Sequence, residues 1–395
     1  MAVLGGTCWF SGVSRLNVIV EAFLRWAETA KSSDRASAAN ALGRAYLQSD
    51  MKPQERRASV MAMTYLLDDP SPRVRLALAE ALCEAAEAPR EIMMSLADDQ
   101  TEIACTVIAR SPVLTDADLV ELIAKGTATK RALVASRPSV SRMVSAALCE
   151  VGEREEMVTL LDNAGAAFSR FSLTRIAERM GTDTEIRNLL LDREDLPADA
   201  RHVLMHRVSE ALAGLDLVQA AIGARRMERV TREANEAGTV AIAGSVDTAD
   251  IPALVEHLRL AGRLTPAFLM HALCAGKVDF MAGTLVNLSG LDDRRVRAIL
   301  SGGRMHAVRA LYEAAGLTRD ISAVFVEATL MLRKLAKVAN GSRLDNVTAQ
   351  LLKAFQKPAA SNAVVADLMD LVEKLHIAEQ RQSARSYAST AGMAA

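Results

Sequence analysis

Apolar residues recur along this chain at three- and four-residue spacing, and strict alternation of apolar and polar positions is nearly absent. A period of three to four sets one helix face against a core, whereas alternation would mark strands. Stop signals interrupt the pattern about every 12 to 18 residues, the usual helix length in compact domains. The pattern predicts helices beginning after Asp34, Lys52, Ser71, Ala88, Thr115, Ser139, Gly152, Thr182, Leu196, Asp250, Thr265 and Leu291. Several of these starts have a local cause. Ser71-Pro72 and Thr265-Pro266 place a hydroxyl before a proline at the first helical position, where the missing N–H costs nothing. Thr115 and Asp118 have capping-box spacing.

The chain also repeats itself. Ala81-Leu82-Cys83-Glu84 returns as Ala147-Leu148-Cys149-Glu150, and Leu67-Asp68-Asp69, Ala97-Asp98-Asp99 and Leu161-Asp162-Asn163 each close a helix. A two-helix unit of roughly 30 to 35 residues accounts for these recurrences. Periods of that size mark stacked arrays, in which each unit buries its apolar face only against its neighbours.

The clearest unit, Asp69-Pro70-Ser71-Pro72-Arg73-Val74-Arg75 followed by an Ala/Leu helix to Leu82, resembles the second half of a HEAT repeat. Asp98-Asp99-Gln100-Thr101-Glu102-Ile103-Ala104 is a weaker echo without the arginine. That resemblance implies that Asp69 and Arg75 bond between neighbouring units and are structural. Longer stretches are similar to a bacterial family, domain of unknown function 2336. They include Phe23-Leu24-Arg25-Trp26-Ala27-Glu28, Leu66-Leu67-Asp68-Asp69-Pro70-Ser71-Pro72, Ala109-Arg110-Ser111-Pro112, Phe171-Ser172-Leu173-Thr174-Arg175, Arg263-Leu264-Thr265-Pro266 and Ala314-Ala315-Gly316-Leu317. The resemblance spans roughly residues 20–320. It implies a helical repeat fold and brings no activity and no functional residues with it.

The expected fold is therefore all-α: a HEAT-like α-solenoid of stacked helix pairs followed by a smaller C-terminal helical domain. The expected divisions are a flexible leader at 1–14, the array at 15–237, and a linker at 238–250 marked by Gly238, Gly244 and Ser245. A helical domain at 251–339 follows, then a basic segment and amphipathic helix at 340–381, and a disordered tail at 382–395.

Composition narrows function by exclusion. Of 395 residues 50% are apolar and only 4% aromatic, so the core must be built from Ala, Leu, Val, Ile and Met, which suits close helix packing. The net charge of −1 gives no general reason to expect nucleic acid or a membrane as partner. The five cysteines form no CxxC pair, which signals neither a zinc site nor a redox dithiol. Buried reduced thiols in a cytoplasmic protein are the expectation. Residues 1–14 lack the basic start of a secretory signal and are too polar to span a bilayer.

Candidate chemistry is sparse. His202, His206 and Glu210 share one helix face, but Val203 stands where a zinc-protease helix carries its general base, and no further ligand is evident. No bound transition metal and no cofactor are expected. Arg225, Arg229 and Arg232 form a stripe blunted by Glu228, Glu233 and Glu236. Phosphate loops and nucleophile elbows are missing, so no catalytic residue is assigned.

Two features remain as a candidate interaction surface. Arg333, Lys334, Lys337, Arg343, Lys353 and Lys357 form a basic island with a single acid, Asp345, between 333 and 357. Val364, Leu368, Leu371 and Leu375 form an apolar helical stripe that must dock, by default on its own domain and otherwise on a partner or a second copy. The favoured function is non-enzymatic: a scaffold or regulatory adaptor gripping another protein, with homo-oligomerisation through the C-terminal helix as one form of it. Association with nucleic acid or anionic phospholipid through 333–357 is the runner-up. An enzyme with a pocket assembled across repeats is the third alternative, which a pocket holding His202 and His206 with other polar groups would favour.

Overall fold

Thr115 shows how this chain starts a helix. In the computed structural model, which describes residues 22–216, 219–220, 223–337, 347–355 and 363–393, its hydroxyl accepts a hydrogen bond from the Asp118 N–H. The Asp118 carboxylate accepts the Thr115 N–H in return, at 2.9 Å. Thr265 caps in the same way, accepting the Phe268 N–H at 3.2 Å ahead of Pro266. Ser71 departs from expectation: its hydroxyl makes no capping bond, and Asp69 instead accepts the Ser71 N–H at 2.8 Å. All regular structure among the described residues is helical, apart from an isolated parallel bridge between Val140 and Ala166.

The chain divides into two compact units, residues 1–194 and 195–395. The first contains α1 (Ser32–Gln48), α2 (Pro53–Leu67), α3 (Pro72–Leu82), α4 (Arg90–Asp98), α5 (Thr101–Arg110), α6 (Asp116–Lys125), α7 (Ala128–Ala135), α8 (Arg142–Val151), α9 (Arg154–Asp162), α10 (Arg170–Met180) and α11 (Thr184–Leu191). Residues 22–29 are helical as well. Each helix packs on the next but one, so the odd-numbered helices form one layer and α2, α4, α6, α8 and α10 the other. Small side chains make the layers close. A Cβ on Gly43 of α1 would lie 2.8 Å from the Ala81 Cβ of α3, an approach that only glycine permits. Lys52, Ser71 and Thr115 stand at helix N-caps as the pattern predicts, while α5, α7 and α10 begin without a predicted start.

An arginine–carboxylate ladder ties consecutive pairs together. Arg35 grips both oxygens of Asp69, at 2.7 and 3.0 Å, and Arg75 grips both of Asp99, at 2.6 and 3.1 Å. Arg90 bonds Asp118, Arg131 bonds Glu156 at 3.1 Å, and Arg154 bonds Asp183 at 2.9 Å. The partners stand 34, 24, 28, 25 and 29 residues apart, a period somewhat shorter than the sequence recurrences suggest. Burial alone would raise the Asp69 carboxyl, but the Arg35 bond and the Ser71 N–H outweigh it and hold it below its ordinary value. Asp69 and Arg75 are thus structural.

The second unit holds α12 (Ala198–Ala213), α13 (Ala224–Ser245), α14 (Ile251–Leu260), α15 (Pro266–Cys274), α16 (Val278–Ser289), α17 (Asp293–Gly302), α18 (Met305–Ala314), α19 (Arg319–Lys337), α20 (Val347–Ala354) and α21 (Ala363–Met393). Helix α15 lies at its centre, burying Phe268, Leu269, Met270, Ala272, Leu273 and Cys274 and packing on α13, α16, α19 and α21. Two expected divisions are corrected here. Residues 238–245 complete α13, and the unit begins instead at Asp195. Gly238 faces Met205 of α12, with room for a Cβ only 2.2 Å from the Met205 sulfur, so it serves a close helix contact rather than a break. Residues 382–393 continue α21 as helix, because no glycine or proline interrupts the Ala-containing run until Gly392. Residues 1–14, and within the expected basic segment residues 340–346 and 356–362, lie outside the described residues. No helix among the described residues is long and apolar enough to cross a membrane.

Candidate functional site

Arg333, the first member of the basic island, is engaged within the fold. Arg333 donates to the Leu300, Ile299 and Gly303 carbonyls, the last at 2.7 Å, and so closes the C-terminus of α17. Burial lowers its pKa from the ordinary arginine value. Orphan carbonyls at a helix end attract such a cation, and half-buried Arg333 is consumed by that role. Arg137 treats the C-terminus of α5 in the same way, and Arg179 that of α8. Lys334 and Lys353 are exposed; the Lys337 side chain, Arg343 and Lys357 lie outside the described residues.

The apolar stripe of α21 is mostly spent within its own unit. Leu368 is 4% exposed, and Val372 beside it is fully buried. Leu371 and Leu375 pack half-buried on the same core, and only Val364 is exposed. Helix α21 docks on α15, α19 and α20, the default that the stripe suggested.

What the fold does assemble is a polar pocket built on α12. His202 and His206 project from one face of α12, their rings 4.6 Å apart. Glu210 does not join them; it pairs with Arg207 at 3.3 Å. The third member is His257 of α14, whose Nε2 lies 3.1 Å from His202 Nδ1. His202 is 3% exposed, and its Nε2 has no hydrogen-bond partner. Burial pushes its pKa down to about 3, with His206, His257 and Arg263 adding to the effect, so the ring is neutral. Burial and Arg263 lower His206 too. Among the described residues no group of three histidines, cysteines or acids is placed to hold a metal ion.

Beyond His206 opens a cavity of about 560 Å³. Two stripes of α13 form one wall: Met227, Thr231, Asn235 and Thr239 inward, and Glu228, Arg232 and Glu236 at the edge. The turn between α14 and α15 closes one end with Arg263, Thr265 and Phe268. His202 is not exposed to the cavity but lies behind His206. The pocket therefore holds only half of the arrangement that would favour an enzyme. His206 can accept or donate a proton there, yet its wall offers threonine hydroxyls and no cysteine or serine.

His257 and Arg263 were beyond the reach of sequence spacing, because only the packing of α12 against α14 brings them to His202 and His206. The arginine stripe was legible, but not that Arg232 lies 3.5 Å from Glu228 and faces a pocket. The free thiols of Cys83, Cys149 and Cys274 are buried, with burial raising all three and taking Cys149 and Cys274 to about 12. Cys105 is half-buried, and Cys8 lies outside the described residues.

The sequence model of domain of unknown function 2336, described as an uncharacterised protein conserved in bacteria, matches residues 103–364. The chain belongs to this family. The matched segment runs from α5 to the start of α21, so the family's span includes the whole pocket and the Arg131–Glu156 and Arg154–Asp183 rungs of the ladder. No curated protein and no solved structure matches the chain.

Proposed function

We propose that this family member is a non-enzymatic interaction protein, a scaffold or adaptor whose first unit grips another protein. The observation that carries this reading is the uneven placement of exposed apolar side chains. On α1–α11 the large ones are Met61 and Tyr65 of α2, Met143 and Val151 of α8, Phe171 of α10, and Leu191 at the end of α11. All but Leu191 lie on the even-numbered layer. Phe171 is 69% exposed and Met143 51%, an unfavourable arrangement in water that a partner would relieve. Aromatic residues and methionine are the side chains most enriched at interface centres. Meanwhile the ladder spends the polar side chains between the pairs on rigidity, which lowers the ordering cost of binding.

A cytoplasmic location belongs to the same proposal, in keeping with the free, buried thiols. The test is affinity capture from native cells with the full chain and with Phe171→Asp and Met143→Asp. The expected outcome is a partner recovered by the parent and lost by the variants, with thermal melts unchanged. Equal recovery by all three would remove the even-numbered layer as the gripping surface.

A further inference from the structure

The pocket of the second unit has a charge pattern that the scaffold reading does not use. Arg232 and Glu228 neutralise each other at its edge. Arg263, on the turn between α14 and α15, and Glu236, on α13, face the same cavity, and neither side chain makes an ion pair or a hydrogen bond among the described residues. The lining therefore carries one unspent positive and one unspent negative charge on separate walls. Near them the Asn235 amide still has its two N–H donors, because its oxygen is the atom engaged, accepting from Ser209 at 2.6 Å. The side chains of His206 and Thr231 make no hydrogen bond among the described residues either. Met227 and Phe268 supply apolar wall, both buried.

We propose that this pocket binds a small ligand carrying both a carboxylate and an ammonium group, the chemistry of an amino acid. A charged ligand loses hydration on entering a pocket, and that cost is recovered only where each charge meets an opposite one. A lone anion would satisfy Arg263 and be repelled by Glu236; a lone cation would meet the reverse. A zwitterion satisfies both. Arg263 is the forked donor for the carboxylate, with Asn235 and His206 as supporting donors, and Glu236 is the acceptor for the ammonium. Met227 and Phe268 then meet the ligand's side chain. The volume of about 560 Å³ lies within the usual range of small-molecule sites. Nothing in this inference depends on the surface assigned to the first unit, and either can fail alone.

The experiment is isothermal titration calorimetry of the full chain with each of the twenty amino acids, and with acetate, methylamine and inorganic phosphate as single-charge probes. At least one amino acid should bind saturably, and at least about tenfold more tightly than any single-charge probe. Arg263→Gln and Glu236→Gln should each weaken that binding by about tenfold or more. Unchanged circular dichroism melts would confirm that both variants are folded. In the parent protein, the bound amino acid should shift the His206 imidazole signals in nuclear magnetic resonance spectra, a readout that needs no variant. The proposal is overturned if no amino acid binds at about 10 mM, well above the millimolar range of weak sites. It is equally overturned if acetate or phosphate binds as tightly as any amino acid, or if the His206 signals do not move.

Discussion

His202 shows how much one buried side chain can matter. Its ring sits behind the pocket wall, hydrogen-bonded to His257 through one nitrogen and unpartnered at the other. Burial pulls its pKa from the ordinary 6.5 to about 3, so the folded state binds it neutral while the unfolded state protonates it in mild acid. The unfolded chain then holds more protons, and stability falls as pH drops. The contribution is fully present above about pH 6.5 and is lost progressively toward pH 3, at up to ~1.4 kcal/mol per pH unit for one such group. His206, lowered in the same direction, adds to the slope. Urea unfolding followed from pH 7 to pH 4 should show this decline, and His202→Asn should flatten it. A parent protein whose stability is constant over that range would mean that the imidazole is not buried neutral. The spacing of His202 and His206 on one helix face was legible in the sequence. Their true companion, His257, was not, because a period of 3.6 speaks only for neighbours on one helix.

At the scale of the element, the ladder gives single residues two duties. Glu156 accepts the Glu153 N–H at the start of α9, at 3.2 Å, and also binds Arg131 from α7. Asp118 does the same for α6, with Thr115 as its cap partner and Arg90 as its rung. A capping carboxylate thus fixes where a helix starts and which neighbour it meets. Glu156 is 2% exposed, so Arg131→Ala would strand a buried charge and should cost about 3 kcal/mol. Arg131→Met with Glu156→Gln, which removes both charges, should recover part of that loss; chemical denaturation of the three proteins measures it. No recovery in the double variant would show that lost packing, rather than the unpaired carboxylate, sets the cost. Helix α21 makes a second case. Its stripe docks on its own unit, so Val372→Asp, at a fully buried position, should lower the melting temperature of that unit rather than change oligomeric state. Light scattering alongside a thermal melt separates the two.

At the scale of the whole molecule, the division at Glu194 and Asp195 predicts that residues 22–194 and 195–393 each unfold cooperatively when expressed alone. A fragment with no cooperative melt would show that this boundary cuts a single folding unit. The local sequence is enough to establish that the chain is helical and where its best-capped helices start. These properties depend on propensity, capping and hydrophobic period, all set within a few residues of the chain. Tertiary structure alone decided that Gly238 marks a close helix contact rather than a linker. It decided likewise that Arg333 closes a distant helix end, and that Arg263 and Glu236 face one pocket from separate helices and turns. Those outcomes depend on which helix faces dock, and docking is chosen by the fit of whole surfaces rather than by the local pattern of any one segment.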